Sequence, residues 1–422
     1  MSKDAKNVPA LRFKGYSDAW EKRKLGELMK VTSVKRVHQS DWRQEGVPFL
    51  RARDIVAINK NQKVKEPIYI SRDLYERYSE QSGRVTPGDL LVTGVGSIGI
   101  PFLIKTESPI YFKDGNIIWF QNRTLDPAFF YFQFTGNSIQ TYILSTSGKG
   151  TVGTFTIATG KQTPIVFPKK TEQKLIGSTM SDLDNLIAAT QDKLSFLKKM
   201  KMFFLQQIFP TKDHDVPQIR FDGFTDAWSH YKLGSLMRID KEQEVKKELL
   251  TDIQKGFYVL AMRTFSMDGY IDHSKPYWLN CLDNVSDDKF LLPREFAILD
   301  ADMDANLPKI GRVLLNASSE KYLLAAHVRK IQVKSGNDPI FIYALMRGNS
   351  VHERLKLEAN GSISKRLLDK NVYKQSILVP NRSEQSKIGR LFFLLETTIT
   401  LHQQKIQMLK QVKKSCLQNL FI

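Results

Sequence analysis

Residues 9–29 read PALRFKGYSDAWEKRKLGELM, and residues 217–237 read PQIRFDGFTDAWSHYKLGSLM. Twelve of these twenty-one positions are identical, without a gap. Arg12, Phe13, Gly15, Asp18 and Trp20 recur as Arg220, Phe221, Gly223, Asp226 and Trp228. A recurrence near half of the 422 residues means two copies of one domain plan. A solenoid would instead repeat every ~20–50 residues. Each half is large enough, at about 200 residues, to bury a core without disulfides or metal.

The halves also end alike. Residues 168–210 and 380–422 share Pro168/Pro380, Glu172/Glu384, Gln173/Gln385, Ile176/Ile388 and Gly177/Gly389, and further on Leu205/Leu417 and Phe209/Phe421. Each segment reads as one long helix. The proline blocks helix before it, Thr171 and Ser383 are the candidate N-caps, and Glu and Gln fill the first turn. Leu183, Ile187, Thr190, Leu194, Leu197, Lys201, Phe204 and Ile208 recur with four and three spacing, as do Leu395, Ile399, His402, Ile406, Leu409, Lys413, Cys416 and Leu420. That spacing marks a coiled-coil seam. Each helix would reach about 55–60 Å at 1.5 Å per residue. Leu186, Met200, Phe203, Leu401, Met408 and Val412 lie off the seam. They form either a wider core face or a docking surface for another subunit.

Residues 30–163 and 238–375 are rich in β-branched and aromatic residues broken by Pro, Gly and Asp. Strands are expected at 47–51, 89–93, 100–104, 116–120 and 164–167, then at 257–262, 296–300, 311–315 and 328–333. Helices are expected at 127–145 and 338–358. The fold class is therefore α+β: two mixed modules joined by two long coiled-coil helices, with an internal pseudo-twofold repeat. The expected boundaries are 1–167 for the first module, 168–210 for the central helix, 211–379 for the second module and 380–422 for the last helix. Phe49-Leu50-Arg51 resembles Leu260-Ala261-Met262-Arg263, but most of the filling differs between modules.

With 63 Lys and Arg against 44 acids, the net charge is +19. Such an excess favours a polyanionic partner. Cys281 and Cys416 are the two cysteines and form no metal-binding cluster; they fit a reducing cytoplasm. The polar N-terminus lacks the apolar core of a signal peptide, and no apolar run is long enough for a membrane span.

Several motifs fail. Gly94-Val95-Gly96-Ser97-Ile98-Gly99 spells GxGxxG, but a strand, not a helix, is expected after it. Ser147-Gly148-Lys149-Gly150-Thr151 lacks the residues of a phosphate loop. Asp300, Asp302 and Asp304 read as a solvated acidic loop. No methyltransferase, hydrolase or zinc-protease signature appears. The chain reads as a binder without catalytic or metal residues.

The leaders RFxG(Y/F)xDAW, the helix starts PKKTEQ and PNRSEQ, and the tails Leu205-Gln206-Gln207-Ile208-Phe209 and Leu417-Gln418-Asn419-Leu420-Phe421 closely resemble the specificity subunit of type I restriction-modification systems. The resemblance covers almost the whole chain. It implies two target recognition domains, each reading one half of a bipartite, gapped DNA site. It implies that the two coiled-coil helices pack antiparallel, set the gap and dock two modification (methyltransferase) subunits, with two restriction subunits optional. It also implies that S-adenosylmethionine, ATP and Mg belong to those partners and that this chain holds no cofactor.

Arginine and lysine at turns and strand ends suit DNA contact. The candidates are Arg51, Arg53, Lys113 and Lys149 in the first module and Arg263, Lys365 and Arg366 in the second. Alternative readings are a nucleic-acid-binding coiled-coil adaptor and a single-chain methyltransferase or nuclease.

Overall fold

The computed structural model describes residues 7–147, 153–210, 216–243, 245–266, 268–274, 276–280, 285–304, 306–361 and 365–422. The chain divides into two compact units, residues 1–189 with 406–422, and residues 190–405.

The first unit opens with β1 (Glu21–Lys24), the helical turn α1 (Leu25–Leu28) and β2 (Lys30–Thr32). Next come β3 (Val47–Leu50), α2 (Ala52–Asn59), β4 (Tyr69–Ile70) and α3 (Arg72–Ser82). β5 (Leu90–Thr93), β6 (Pro101–Leu103), β7 (Tyr111–Phe112) and β8 (Ile117–Gln121) follow. α4 (Pro127–Thr135), α5 (Asn137–Thr146), α6 (Ile157–Gln162) and β9 (Pro164–Phe167) lead to the long α7 (Lys170–Gln207).

One sheet has the order β2-β8-β5-β6, a second the order β4-β3-β7, and β1 pairs with β9. β5 and the first four residues of β8 are buried on both faces, so they read as apolar runs rather than alternating strands. α4 is apolar nearly all round and lies inside the core, as such helices must.

The second unit follows the same plan. β10 (Ser229–Lys232), α8 (Leu233–Leu236) and β11 (Met237–Ile239) form its leader. β12 (Leu250–Thr251), β13 (Phe257–Leu260), β14 (Trp278–Leu279), β15 (Phe290–Leu291), β16 (Phe296–Leu299) and β17 (Ala301–Asp302) come next. β18 (Val313–Leu315), β19 (Tyr322–Leu324) and β20 (Val328–Val333) precede α9 (Pro339–Arg347) and α10 (Asn349–Leu357). β21 (Lys365–Arg366), α11 (Asp369–Tyr373) and β22 (Ser376–Val379) end at the long α12 (Arg382–Asn419). Its sheets run β11-β20-β16-β18 and β12-β14-β13-β19-β15. β13 lies parallel to β19 as β3 lies parallel to β7.

Packing explains why leader and helix start recur together. Arg12 grips Glu172 through two hydrogen bonds of 2.8 and 2.9 Å. In the second unit Arg220 grips Glu384 through two of 2.8 Å. Gln173 Oε1 accepts the Asp126 N–H at 2.8 Å, and Gln385 Oε1 accepts that of Asp338 at 3.0 Å. Asp126 and Asp338 in turn cap α4 and α9. A Cβ on Gly177 or Gly389 would strike those same capping carboxylates. The helix glycines are thus required by close approach, not merely tolerated.

Aromatic packing repeats too. Trp20 meets Phe129 edge-on at 5.8 Å, and Phe129 meets Phe421 at 5.7 Å. Trp228 meets Phe341 at 5.9 Å, and Phe341 meets Phe209 at 5.8 Å. The chain's last residues therefore serve the first leader as residues 205–209 serve the second. The Leu11 N–H donates to the Asn419 carbonyl, as the Ile219 N–H donates to that of Gln207.

Several expectations change. The helix expected at 127–145 is two helices, α4 and α5, parted by Gly136 at φ −69°, ψ 156°. The helix expected at 338–358 is likewise α9 and α10, parted by Gly348 at φ −61°, ψ 141°. Each glycine is extended, which ends one helix and turns the next. Thr171 and Ser383 are not the N-caps, because the helices begin one residue earlier. Asn381 caps α12, its Oδ1 accepting the Glu384 N–H at 3.0 Å, and the Lys169 carbonyl receives the first N–H groups of α7.

Asp300 and Asp302 are buried, not solvated. Asp302 accepts N–H groups of Asp304 and Lys309, while Asp300 faces His327 and Arg329. Finally, α2 and α3 are helices where none was expected. Ser71 Oγ caps α3 by accepting the Leu74 N–H.

Candidate nucleic-acid interface

In the first unit the loop before β3, the turn after it and the end of β7 enclose an open groove of ≈ 1090 Å³. Arg43, Arg51, Arg53 and Lys113 line it, with Gln44 and Asn116, against one lining carboxylate, Glu66. With Arg51 neutralised by the buried Asp54, Arg43, Arg53 and Lys113 against Glu66 still make an anion-attracting concavity. Gln44 and Asn116 add amide donors and acceptors of the kind that match adenine, as arginine matches guanine.

The candidates divide within this groove. Arg51 is 13% exposed and engaged: Nε and Nη2 form a fork on the buried Asp54 at 2.8 and 2.9 Å, and Nη2 also donates to the Glu66 carbonyl. Arg53 is 57% exposed, with Glu66 at 3.2 Å and the buried Asp54 at 3.8 Å. No hydrogen bond or ion pair holds the Lys113 side chain among the described residues. Lys149 lies outside the described residues, as does Cys281. The sequence reading passed over Trp42, Arg43, Gln44 and Asn116. A clue was the polar run Asp41-Trp42-Arg43-Gln44-Glu45-Gly46 set before an apolar strand.

In the second unit Arg263 lines a smaller groove of ≈ 370 Å³ with Lys309, Asp302 and Asp304. Its guanidinium stacks 3.9 Å over Tyr277 and reaches Asp252 at 2.9 Å. Lys365 and Arg366 sit on β21, paired with β17. Arg366 holds Glu242 at 2.6 Å within a cluster of Glu242, Asp300 and His327. Arg329 also reaches Asp300 at 3.4 Å. Burial pushes the Asp300 carboxyl up, against the pull of His327 and the arginines. Cationic side chains thus already engage these carboxylates, which makes the cluster an ion-pair network. Lys365 and Arg366 are not brought into the Arg263 groove.

The helices carry the other candidate surface. In the first unit Lys413 pairs with Asp184 at 2.5 Å. In the second, Lys201 pairs with Glu396 at 2.6 Å and also donates to the Tyr270 hydroxyl at 2.6 Å. Tyr343 donates to Glu396 as well. Lys201 and Glu396 are buried, and burial pushes the Lys201 amine down to about 8. Both seam lysines are therefore placed against a carboxylate of the other long helix.

Leu186, Phe203, Leu401, Met408 and Val412 are exposed. Met200 differs, being half-buried against the second unit's core. Exposed Phe196 joins Phe203 at a seven-residue interval, as Leu394, Leu401 and Met408 do on α12. Residues seven apart share one face of a helix. Cys416 packs half-buried against the first unit's core.

These grooves and helix faces define a class, a duplicated binding scaffold with one open groove per module, basic in the first and mixed in charge in the second. The chain belongs to the type I restriction modification DNA specificity domain family, whose model matches residues 17–199 and 225–411. The MjaIX type I restriction enzyme specificity subunit of Methanocaldococcus jannaschii is 23% identical over 423 residues, covering 95% of this chain and 92% of that protein. S.HindORF215P of Haemophilus influenzae, a type I restriction enzyme specificity subunit by name, is 30% identical over 99 residues. That match spans 23% of this chain and 24% of the relative. The crystal structure of a type I restriction-modification S subunit from M. genitalium shares the fold, with a TM-score of 0.68 at 14% identity, over 98% of this chain and 99% of that one. No described helix is long and apolar enough to cross a membrane.

Proposed function

We propose that the chain supplies DNA sequence specificity to a type I restriction-modification complex and is not itself catalytic. Each module reads one half of a bipartite, gapped duplex site. The observation that carries this reading is the duplication of one sheet frame whose groove lining differs between copies. Basic charge supplies salt-sensitive attraction to the duplex, and the differing side chains supply the sequence.

The exposed apolar faces of α7 and α12 dock two modification subunits, and restriction subunits join that core. S-adenosylmethionine, ATP and Mg act on those partners, which methylate adenine and cleave. The two helices fix the spacing between half-sites.

The test uses the complex with its modification subunits and maps methylated sites by long-read sequencing. Exchanging residues 30–163 for the module of a relative should change one half-site and leave the other intact. A change in both halves, or methylation at one continuous site, would refute the modular reading.

A further inference from the structure

The groove-forming stretches contain a recurrence that strand pairing exposes. Val47 pairs with Ile70 as Phe257 pairs with Leu279. Leu50 lies parallel to Phe112 as Leu260 lies parallel to Leu324. The Leu50 carbonyl accepts the Lys113 N–H, and the Leu260 carbonyl accepts the Ala325 N–H, both at 2.9 Å. In this single register Gln44, Gly46, Leu50 and Arg53 coincide with Gln254, Gly256, Leu260 and Arg263. Gly46 and Gly256 both have positive φ, and a Cβ on either would strike the partner strand's carbonyl oxygen. Those glycines and leucines are kept by the frame.

The arginines touch the frame only in part: Arg53 lies 3.8 Å from the buried Asp54, and Arg263 donates to the Pro276 carbonyl at 3.1 Å and stacks on Tyr277. Arg53 and Arg263 are each the second residue of the turn after the strand. The turn itself is held by other groups: the Arg51 N–H donates to Asp54 Oδ2, and the Ala261 N–H to Thr264 Oγ1, both at 2.9 Å. Beyond those contacts, Arg53 and Arg263 each meet a carboxylate in solvent, Glu66 at 84% exposure and Asp252 at 72%. Such exposed pairs add little stability. Around them the lining changes: Arg51 is matched by Ala261 and Lys113 by Ala325. Phosphates are presented alike by every duplex, whereas base edges change with sequence. A side chain kept where its neighbours change suits the contact that does not change.

We propose that Arg53 and Arg263 are equivalent phosphate anchors, one per module. Sequence is read by the side chains that differ, Lys113 and Asn116 in the first module. This rests on the DNA-specificity reading above.

The experiment measures binding of the complete complex to its mapped target and to an unrelated duplex across a salt series, with methylation mapping alongside. Arg53→Ala and Arg263→Ala should each weaken both duplexes by a similar factor. Each should lower the slope of log affinity on log salt by about one, and together by about two. The methylated sequence should stay the same, whereas Asn116→Ala should relax one base of one half-site. Relaxed base preference in Arg53→Ala or Arg263→Ala would overturn the anchors, and so would unchanged affinity and slope. A wild-type complex that never prefers one duplex over another would refute the specificity reading instead, while the slopes still decide the anchors.

Discussion

Arg51 and Arg53 stand two residues apart and both approach Asp54, Arg51 at 2.8 Å and 13% exposed, Arg53 at 3.8 Å and 57% exposed. The fork from Arg51 compensates Asp54, whose side chain is 3% exposed. Removing the cation strands a buried carboxylate, so Arg51→Ala should cost on the order of 3 kcal/mol. Arg53→Ala should stay within about 0.5 kcal/mol, as for an ordinary surface position. Urea unfolding of the two variants beside wild type checks both.

His352, on α10, gives a pH signature. Burial, helped by the Arg312 guanidinium, pushes its imidazole down to about 4 from the usual 6.5. Between those values the unfolded chain binds a proton that the folded chain refuses. His352 therefore contributes stability above pH 6.5 that is lost as pH falls toward 4. His352→Gln should flatten that acid limb in melting curves collected from pH 7 to 4. An unaltered limb would mean that another group governs it.

Among the elements, the long helices matter most through their ends. Phe421 sits on Phe129 in the first unit, and Phe209 on Phe341 in the second. Phe421→Ala should cost about 3–5 kcal/mol, as should Phe209→Ala. Each should lower hydrogen-exchange protection in its own unit, the former in α4 and the latter in α9.

These ends were legible in part, because Arg12 and Glu172 both lie in repeated segments, whereas the α4 partners of Gln173 and Trp20 lie in the stretch that reads as divergent. A repeat in one half exposes its counterpart in the other. The strand frame was legible as apolar runs. The splits at Gly136 and Gly348 were not, since an extended glycine inside an apolar stretch leaves its periodicity nearly intact. The groove was least legible. Matching apolar triplets sets Arg51 beside Arg263, while the strand hydrogen bonds set Arg53 there. Side-chain commitment, such as Arg51 to Asp54, has no sequence signature at all.

At the scale of the molecule, each unit contains an antiparallel stretch of the two long helices. Lys413 meets Asp184 in one unit and Lys201 meets Glu396 in the other. If these helices set the distance between half-sites, lengthening both should lengthen the gap. Seven residues are two helical turns and preserve the phase of the seam. They add about 10 Å of helix, which is about three base pairs at 3.4 Å each. A matched seven-residue insertion, after Ala189 and after Lys405, falls where the chain passes between units. Both half-sites should then be read unchanged, with the gap between methylated positions longer by about three base pairs. A four-residue insertion breaks the seam phase and should reduce methylation rather than give a clean intermediate gap. Long-read methylation mapping reports gap and half-sites together. An unaltered gap in an active seven-residue variant would remove the helices from the measurement of distance and leave that role to the modules or their partners.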